Sequence, residues 1–194
     1  SGQNADYNEP KAIKADGSVI FNNGNVTISS NDDAIKSGSS VTFMNTNVTI
    51  LKCYEAVEAP FITVNSGNIS VTGTNDGFNA TKGTGSESND GSCVYLNGGY
   101  TNISISNGDG LDSNGNMVMT GGTVIVHGPQ SQPEVGMDFN GTFTISGGFL
   151  VVSGTNSNMT EGPSTSSGQY SFLARTNSAN SSLFHLEDAG GNNI

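Results

Sequence analysis

The sequence predicts an all-β parallel β-helix, a solenoid of about six to seven coils of roughly 21–22 residues each. Three observations predict it. A strand–turn–strand unit repeats, each unit alternates at period two, and like residues recur in the same column of successive units. The composition agrees. Of 194 residues, 27 are glycine, only 33% are hydrophobic and Trp is absent, a balance that suits short strands joined by many tight turns.

Taken in chain order, the units are VIFNNGNVTI (19–28), VTFMNTNVTI (41–50), ITVNSGNISV (62–71), VYLNGGYTNISI (94–105), MVMTGGTVIV (117–126) and FTISGGFLVV (143–152). Each is a short alternating run, an Asn/Gly turn and a second alternating run. Alternation places Val26, Ile28, Val41, Phe43, Val48 and Ile50 inward and Thr27, Thr42 and Thr49 outward. The second runs begin near Val26, Val48, Ile69, Ile103, Val124 and Leu150, at steps of 22, 21, 34, 21 and 26 residues. The long step carries an inserted loop near 81–92, and the last a smaller one around 127–135. The whole chain, 1–194, reads as one domain, irregular from about residue 155. A sandwich of hairpins would also give short strands, but it would not stack Asn25, Asn47, Asn68 and Asn102 before the second run. In a solenoid these form an amide ladder about 4.8 Å per step.

The segments after each second run align as Asp32–Lys36, Tyr54–Glu58, Asn75–Asn79, Gly108–Asp112 and Glu134–Asp138, with Lys11 and Lys14 in the same two columns upstream. Their fourth position is always apolar and belongs to the core. The second column reads Lys11, Asp33, Glu55, Asp76, Asp109, Val135. The fifth reads Lys14, Lys36, Glu58, Asn79, Asp112, Asp138. Carboxylates one strand spacing apart repel by roughly 3–4 kcal/mol per pair at an effective dielectric of 20. A hard divalent cation removes that strain. Calcium takes six to eight oxygens in irregular geometry, whereas zinc asks for His or Cys. Asp33, Glu55, Glu58, Asp76, Asn79, Asp109, Asp112 and Asp138 are therefore the candidate Ca2+ ligands. The helix–loop–helix calcium pattern does not fit Asp112 onward, because Met117 stands where it needs Gly and Thr123 where it needs Glu.

Charge excludes some partners. With 17 acidic and 6 basic residues the net charge is −11, which leaves no basic stripe for nucleic acid or an anionic membrane surface. No apolar run is long enough to cross a bilayer, so no membrane insertion is expected of this chain. Cys53 and Cys93 stand far apart without a zinc or redox spacing, and read as free buried thiols or as one disulfide.

GDGLDSNGNMVMTGGTVIVHGP (108–129), followed by GMDFNGTFTISGG (136–148), resembles a family of bacterial surface proteins with a polysaccharide-lyase-like right-handed parallel β-helix. AIKADG (12–17) and DDAIKSG (32–38) fit its early coils, and the resemblance spans roughly residues 11–160. Lys36 and Val135 depart from its acidic columns. The resemblance implies a carbohydrate-binding domain, calcium along the helix, and cellulose or acidic sugars such as polygalacturonate as partners. It also implies an extracellular or bacterial cell-surface location.

Three functions compete. A non-catalytic carbohydrate binder would bridge sugar oxygens through calcium and stack rings on Tyr54, Tyr95 or Tyr100. A calcium-dependent pectate or polysaccharide lyase would need a base beside the ion. Lys36 is the placed candidate, since Arg175 is the only arginine and lies in the tail. An ice-binding or stalk surface would need unbroken outward Thr columns, and Thr42–Thr63 and Thr27–Thr49 break at Tyr95, Val118 and Ile125. His127 and His185 have no catalytic partner in the pattern.

Overall fold

The computed structural model describes residues 10–85, 88–176 and 185–193. Among them are eighteen strands and no helix, wound as six coils of three strands. The first coil holds β1 (Ile13–Ala15), β2 (Val19–Asn22) and β3 (Asn25–Ser29), and the second β4 (Ile35–Ser37), β5 (Ser40–Met44) and β6 (Thr46–Lys52). The third holds β7 (Val57–Ala59), β8 (Phe61–Val64) and β9 (Gly67–Gly73). The fourth holds β10 (Phe78–Ala80), β11 (Cys93–Leu96) and β12 (Tyr100–Ile105). The fifth holds β13 (Leu111–Ser113), β14 (Asn116–Met119) and β15 (Thr123–His127), and the sixth β16 (Met137–Phe139), β17 (Phe143–Ile145) and β18 (Phe149–Ser153).

Each third of a coil pairs in parallel with the same third of its neighbours. Sheet A is β1-β4-β7-β10-β13-β16, sheet B is β2-β5-β8-β11-β14-β17, and sheet C is β3-β6-β9-β12-β15-β18. Inward columns fill the interior. Ile35, Val57, Phe78, Leu111 and Met137 line sheet A, and Val41, Ile62, Val94, Met117 and Phe143 line sheet B, all buried. Phe21, Phe43 and Phe78 stack as rings, 5.2 and 6.3 Å between centroids. A narrow core one side chain deep needs fewer apolar residues than a globule of this length, which accounts for the low hydrophobic content. Cys53 and Cys93 are buried and unpaired.

The Asn/Gly corner between sheets B and C is where the backbone must turn left-handed. Asn23 (φ 68°) and Asn45 (φ 48°) serve there first, and Gly67, Gly99, Gly122 and Gly148 after them. A Cβ on Gly67 would lie 2.1 Å from the Thr46 carbonyl oxygen of the coil beneath, so the stacking leaves it no room.

One column is corrected. Thr101, not Ile103, lies opposite Ile69, and Asn102 lies opposite Ser70. The amide ladder is therefore Asn25–Asn47–Asn68 and then Tyr100. Asn47 donates to Asn25 Oδ1 at 2.7 Å and Asn68 to Asn47 Oδ1 at 2.8 Å. Strand alternation hides a two-residue slip, because Thr101 and Ile103 both point inward and both are buried. The last strand ends at Ser153, and Ser164 and Gln169 then donate backbone N–H groups to Phe143 and Ile145 beyond β17. No helix among the described residues is long and apolar enough to cross a membrane.

Candidate metal centre

Sheet A carries the acids. The outward middle residues of its six strands are Lys14, Lys36, Glu58, Asn79, Asp112 and Asp138, stacked in register in that order. The corner residues leading into the strands form the adjoining column. Successive N–H groups of Ala34, Ala56, Gly77 and Gly110 donate to the carbonyls of Glu55, Asp76, Asp109 and Val135, which fixes Asp33, Glu55, Asp76, Asp109 and Val135 one above another. All eight predicted ligands thus lie on one strip of the surface.

The strip divides into two clusters. Carboxylate oxygens of Asp33, Glu55 and Glu58 lie within 4.8 Å of one another, and so do those of Asp109, Asp112 and Asp138. Asp76 and Asn79 stand between. Asp76 Oδ1 accepts the Asp109 N–H at 2.8 Å, and the Asn75 amide donates to both Glu55 and Asp76 at 3.3 Å. Asn79 donates to Glu55 at 3.4 Å, while its buried Oδ1 has no hydrogen-bond donor.

The clusters differ in how their charge is offset. In the first, Lys11 pairs with Asp32 and with Asp33 (3.4 Å), and Lys36 pairs with Glu58 and with Asp33 (3.8 Å). In the second, Asp109 Oδ1 accepts the Val135 N–H at 2.6 Å, and among the described residues no ion pair reaches Asp76, Asp109 or Asp112. A cavity of about 360 Å³ opens over it, lined by Asn75, Asp76, Asp109, Asp112, Asn114, Glu134 and Asp138 among others. Another, of about 340 Å³, lies over the basic end beside Lys14, Lys36, Glu58 and Lys82.

Burial, then the neighbouring acids, pushes the Asp112 carboxyl up to about 9 and Glu55 to about 8. Burial also raises Asp109 to about 7, against the Val135 N–H and with Asp76 adding to it. Asp76 is raised to about 6, mainly by burial, with the Asp109 N–H opposing. Asp33 is raised as well, by burial first. A set of oxygen donors without His or Cys, with an unsatisfied amide oxygen in its middle, suits a hard divalent cation.

The other candidates scatter. Tyr54 is exposed and stacks between Asp32 and Asn75, beside the strip. Tyr95 lies on sheet B between Thr63 and Val118, and Tyr100 on sheet C between Asn68 and Thr123. The three tyrosines therefore face three directions and form no common platform. Lys36 is three strands from Asp112. His127 is exposed on sheet C, and His185 contacts Glu187 at 3.1 Å. Sequence reasoning missed Asn75, Asn114 and Glu134. Asn75 and Glu134 occupy the first position of the same aligned segments, one column over, so the signal was present.

No known family, characterised protein or solved structure matches the chain. What the strip does is argued from its own geometry.

Proposed function

We propose that the chain is a calcium-binding, non-catalytic carbohydrate-binding protein of the cell surface or extracellular space, and that its calcium contributes to holding acidic plant cell-wall polysaccharides such as polygalacturonate. The observation that carries this is the Asp109–Asp112–Asp138 cluster, its oxygens within 4.8 Å of one another beneath an open cavity. Asp76 and Asn79 extend the donor set toward the first cluster, and Glu134 lines the same cavity. Bound calcium would neutralise the carboxylates and leave positions on its open side for sugar hydroxyl or uronate oxygens.

The alternative, a calcium-dependent lyase with Lys36 as base, has less support. Lys36 is held against Glu58 and Asp33. It also stands roughly 14 Å from Asp112 by strand spacing, too far to take a proton from a sugar bound there.

The test is the metal content of purified protein, with melting temperature and polygalacturonate binding measured in calcium and after chelation. The expected result is bound calcium, a higher melting temperature with it, and polygalacturonate retention that chelation abolishes and Asp112→Asn weakens. Protein free of metal and indifferent to both treatments would overturn the proposal. Unsaturated sugar products would favour the lyase.

A further inference from the structure

The first coil leaves its core half open. Ile13, Val19, Phe21 and Val26 are only half-buried, yet the residues opposite them in the second coil, Ile35, Val41, Phe43 and Val48, are fully buried. β1, β2 and β3 also end their sheets, with no described strand beyond them. Asn47 donates to the Gly24 carbonyl, so every second residue counted from Gly24 faces β6. The N–H and C=O groups of Asn25 and Thr27 therefore point off the end of the solenoid. Such an edge is a template for another strand unless charge or proline blunts it, and β2 and β3 carry neither. Ile20, the outward residue of β2, is 62% exposed beside them.

The two ends of the solenoid differ, and the difference selects what covers the first coil. Residues 1–9 are fewer than the residues of β1, β2 and β3 taken together, too few to lay a strand on each edge. Stacking on the last coil of another copy is obstructed. There Ser164 and Gln169 donate N–H groups to Phe143 and Ile145, and Glu161 accepts the Phe139 N–H. The tail thus stands where β2 of a stacked copy would come, and β18 is out of reach without displacing it. The first coil of a second copy meets no such obstacle. A two-fold axis through Thr27, perpendicular to sheet C, sets β3 antiparallel to its own copy. Thr27 then faces Thr27 and exchanges two hydrogen bonds with it, because both of its backbone groups lie on the edge. Val26 and Ile28 stay on the core side in both copies. The same axis exchanges sheets A and B, so β1 meets β2 of the second copy. Each Lys14 stem then lies over the exposed Ile20 of the other copy, and the two ammonium groups sit on opposite sides of the pair. Among the described residues Lys14 makes no ion pair that this would break.

We propose that the chain forms a closed two-fold dimer through the open edges of β1, β2 and β3, with β3 pairing antiparallel to itself about Thr27. The interface is the same patch on both copies, so association stops at two. It completes the burial of the first coil.

The experiment measures the mass of the full chain by sedimentation equilibrium across a range of concentrations, with chelator present, for the wild type and for Ile20→Asp. Ile20 is exposed, so the variant keeps its fold, and the melting temperature verifies this. Thr27→Cys and Thr49→Cys place a thiol at the axis and one strand away from it, while the native Cys53 and Cys93 are buried. The wild type is expected to be a dimer, and Ile20→Asp to weaken it at least about tenfold. Facing Thr27 Cα atoms would lie about 5.5 Å apart, within disulfide reach. Oxidised Thr27→Cys should therefore run as a covalent dimer on a non-reducing gel, and Thr49→Cys as a monomer. A wild type that is monomeric up to about 1 mM overturns the proposal and leaves the edges to another occupant. So does a dimer that Thr27→Cys fails to lock or Ile20→Asp fails to weaken. Open-ended oligomers overturn it in favour of head-to-tail stacking.

Discussion

Calcium binding at the second cluster should expel protons, and the reason lies in the spacing of its acids. Two ionised carboxylates 4.8 Å apart repel by about 3.5 kcal/mol at an effective dielectric of 20. Three charged at once would therefore cost about 10 kcal/mol, as much as the whole folding free energy of many domains. Without an ion the cluster avoids this by keeping protons. Asp112, raised to about 9, is protonated at pH 7, and Asp109, raised to about 7, is partly so. A calcium ion takes carboxylates, so binding at pH 7 should release protons, from Asp112 first. Titration calorimetry in two buffers of different ionisation enthalpy reads that release directly.

The same shifts fix the sign of the pH dependence. These acids have folded values above their unfolded ones, so the metal-free folded state binds more protons than the unfolded chain from about pH 4 up to about pH 9. Metal-free stability should fall as pH rises through that window, while calcium affinity rises. The gap in melting temperature between calcium-loaded and chelated protein should widen from pH 5 to pH 8. Calcium binding at pH 7 with no proton release, or a metal-free protein that melts higher at pH 8 than at pH 5, would refute the reasoning.

Four further outcomes are expected. Asn47→Ala removes two ladder hydrogen bonds and should lower unfolding free energy by about 1–2 kcal/mol in chemical denaturation. Asn102→Ala, the same residue type outside the ladder, should cost less than about 0.5 kcal/mol. Phe78→Ala empties a fully buried site that stacks on Phe43, and should cost about 3–5 kcal/mol by the same measurement. Lys36→Met takes the ammonium away from Glu58 and Asp33, so the first cluster should gain calcium, read as a higher metal-to-protein ratio by elemental analysis. An unchanged ratio would mean that Lys36 does not stand in for an ion.

The sheet A columns were legible because their segments share one length. Asp32–Lys36 through Glu134–Asp138 align without gaps, and the paired residues are those the alignment names. The inward residues were legible from alternation alone. The coil containing Tyr100 was misread because alternation repeats every two residues, so a pattern match cannot separate Thr101 from Ile103 as the partner of Ile69. Charge offset was legible only in part. That Lys36 falls in an acidic column is visible in the sequence, but that Lys11 reaches across the corner to Asp32 and Asp33 depends on side-chain reach.

A solenoid makes each position in its coil a column, and a column can change chemistry along its length while the backbone stays the same. The outward column of sheet A runs from Lys14 and Lys36 through Glu58 and Asn79 to Asp112 and Asp138. Where lysines share the strip, Asp32, Asp33 and Glu58 are paired with covalently attached cations. Beyond Asn79, with no ion pair to Asp109 or Asp112 among the described residues, the charge must be met by protons or by an ion from solution. Which of the two prevails is then a competition set by pH and free calcium. On the proposed reading, the acidic half of the strip would serve as the ion site, while Lys11 and Lys36 pair with acids of the other half, built on the same repeat.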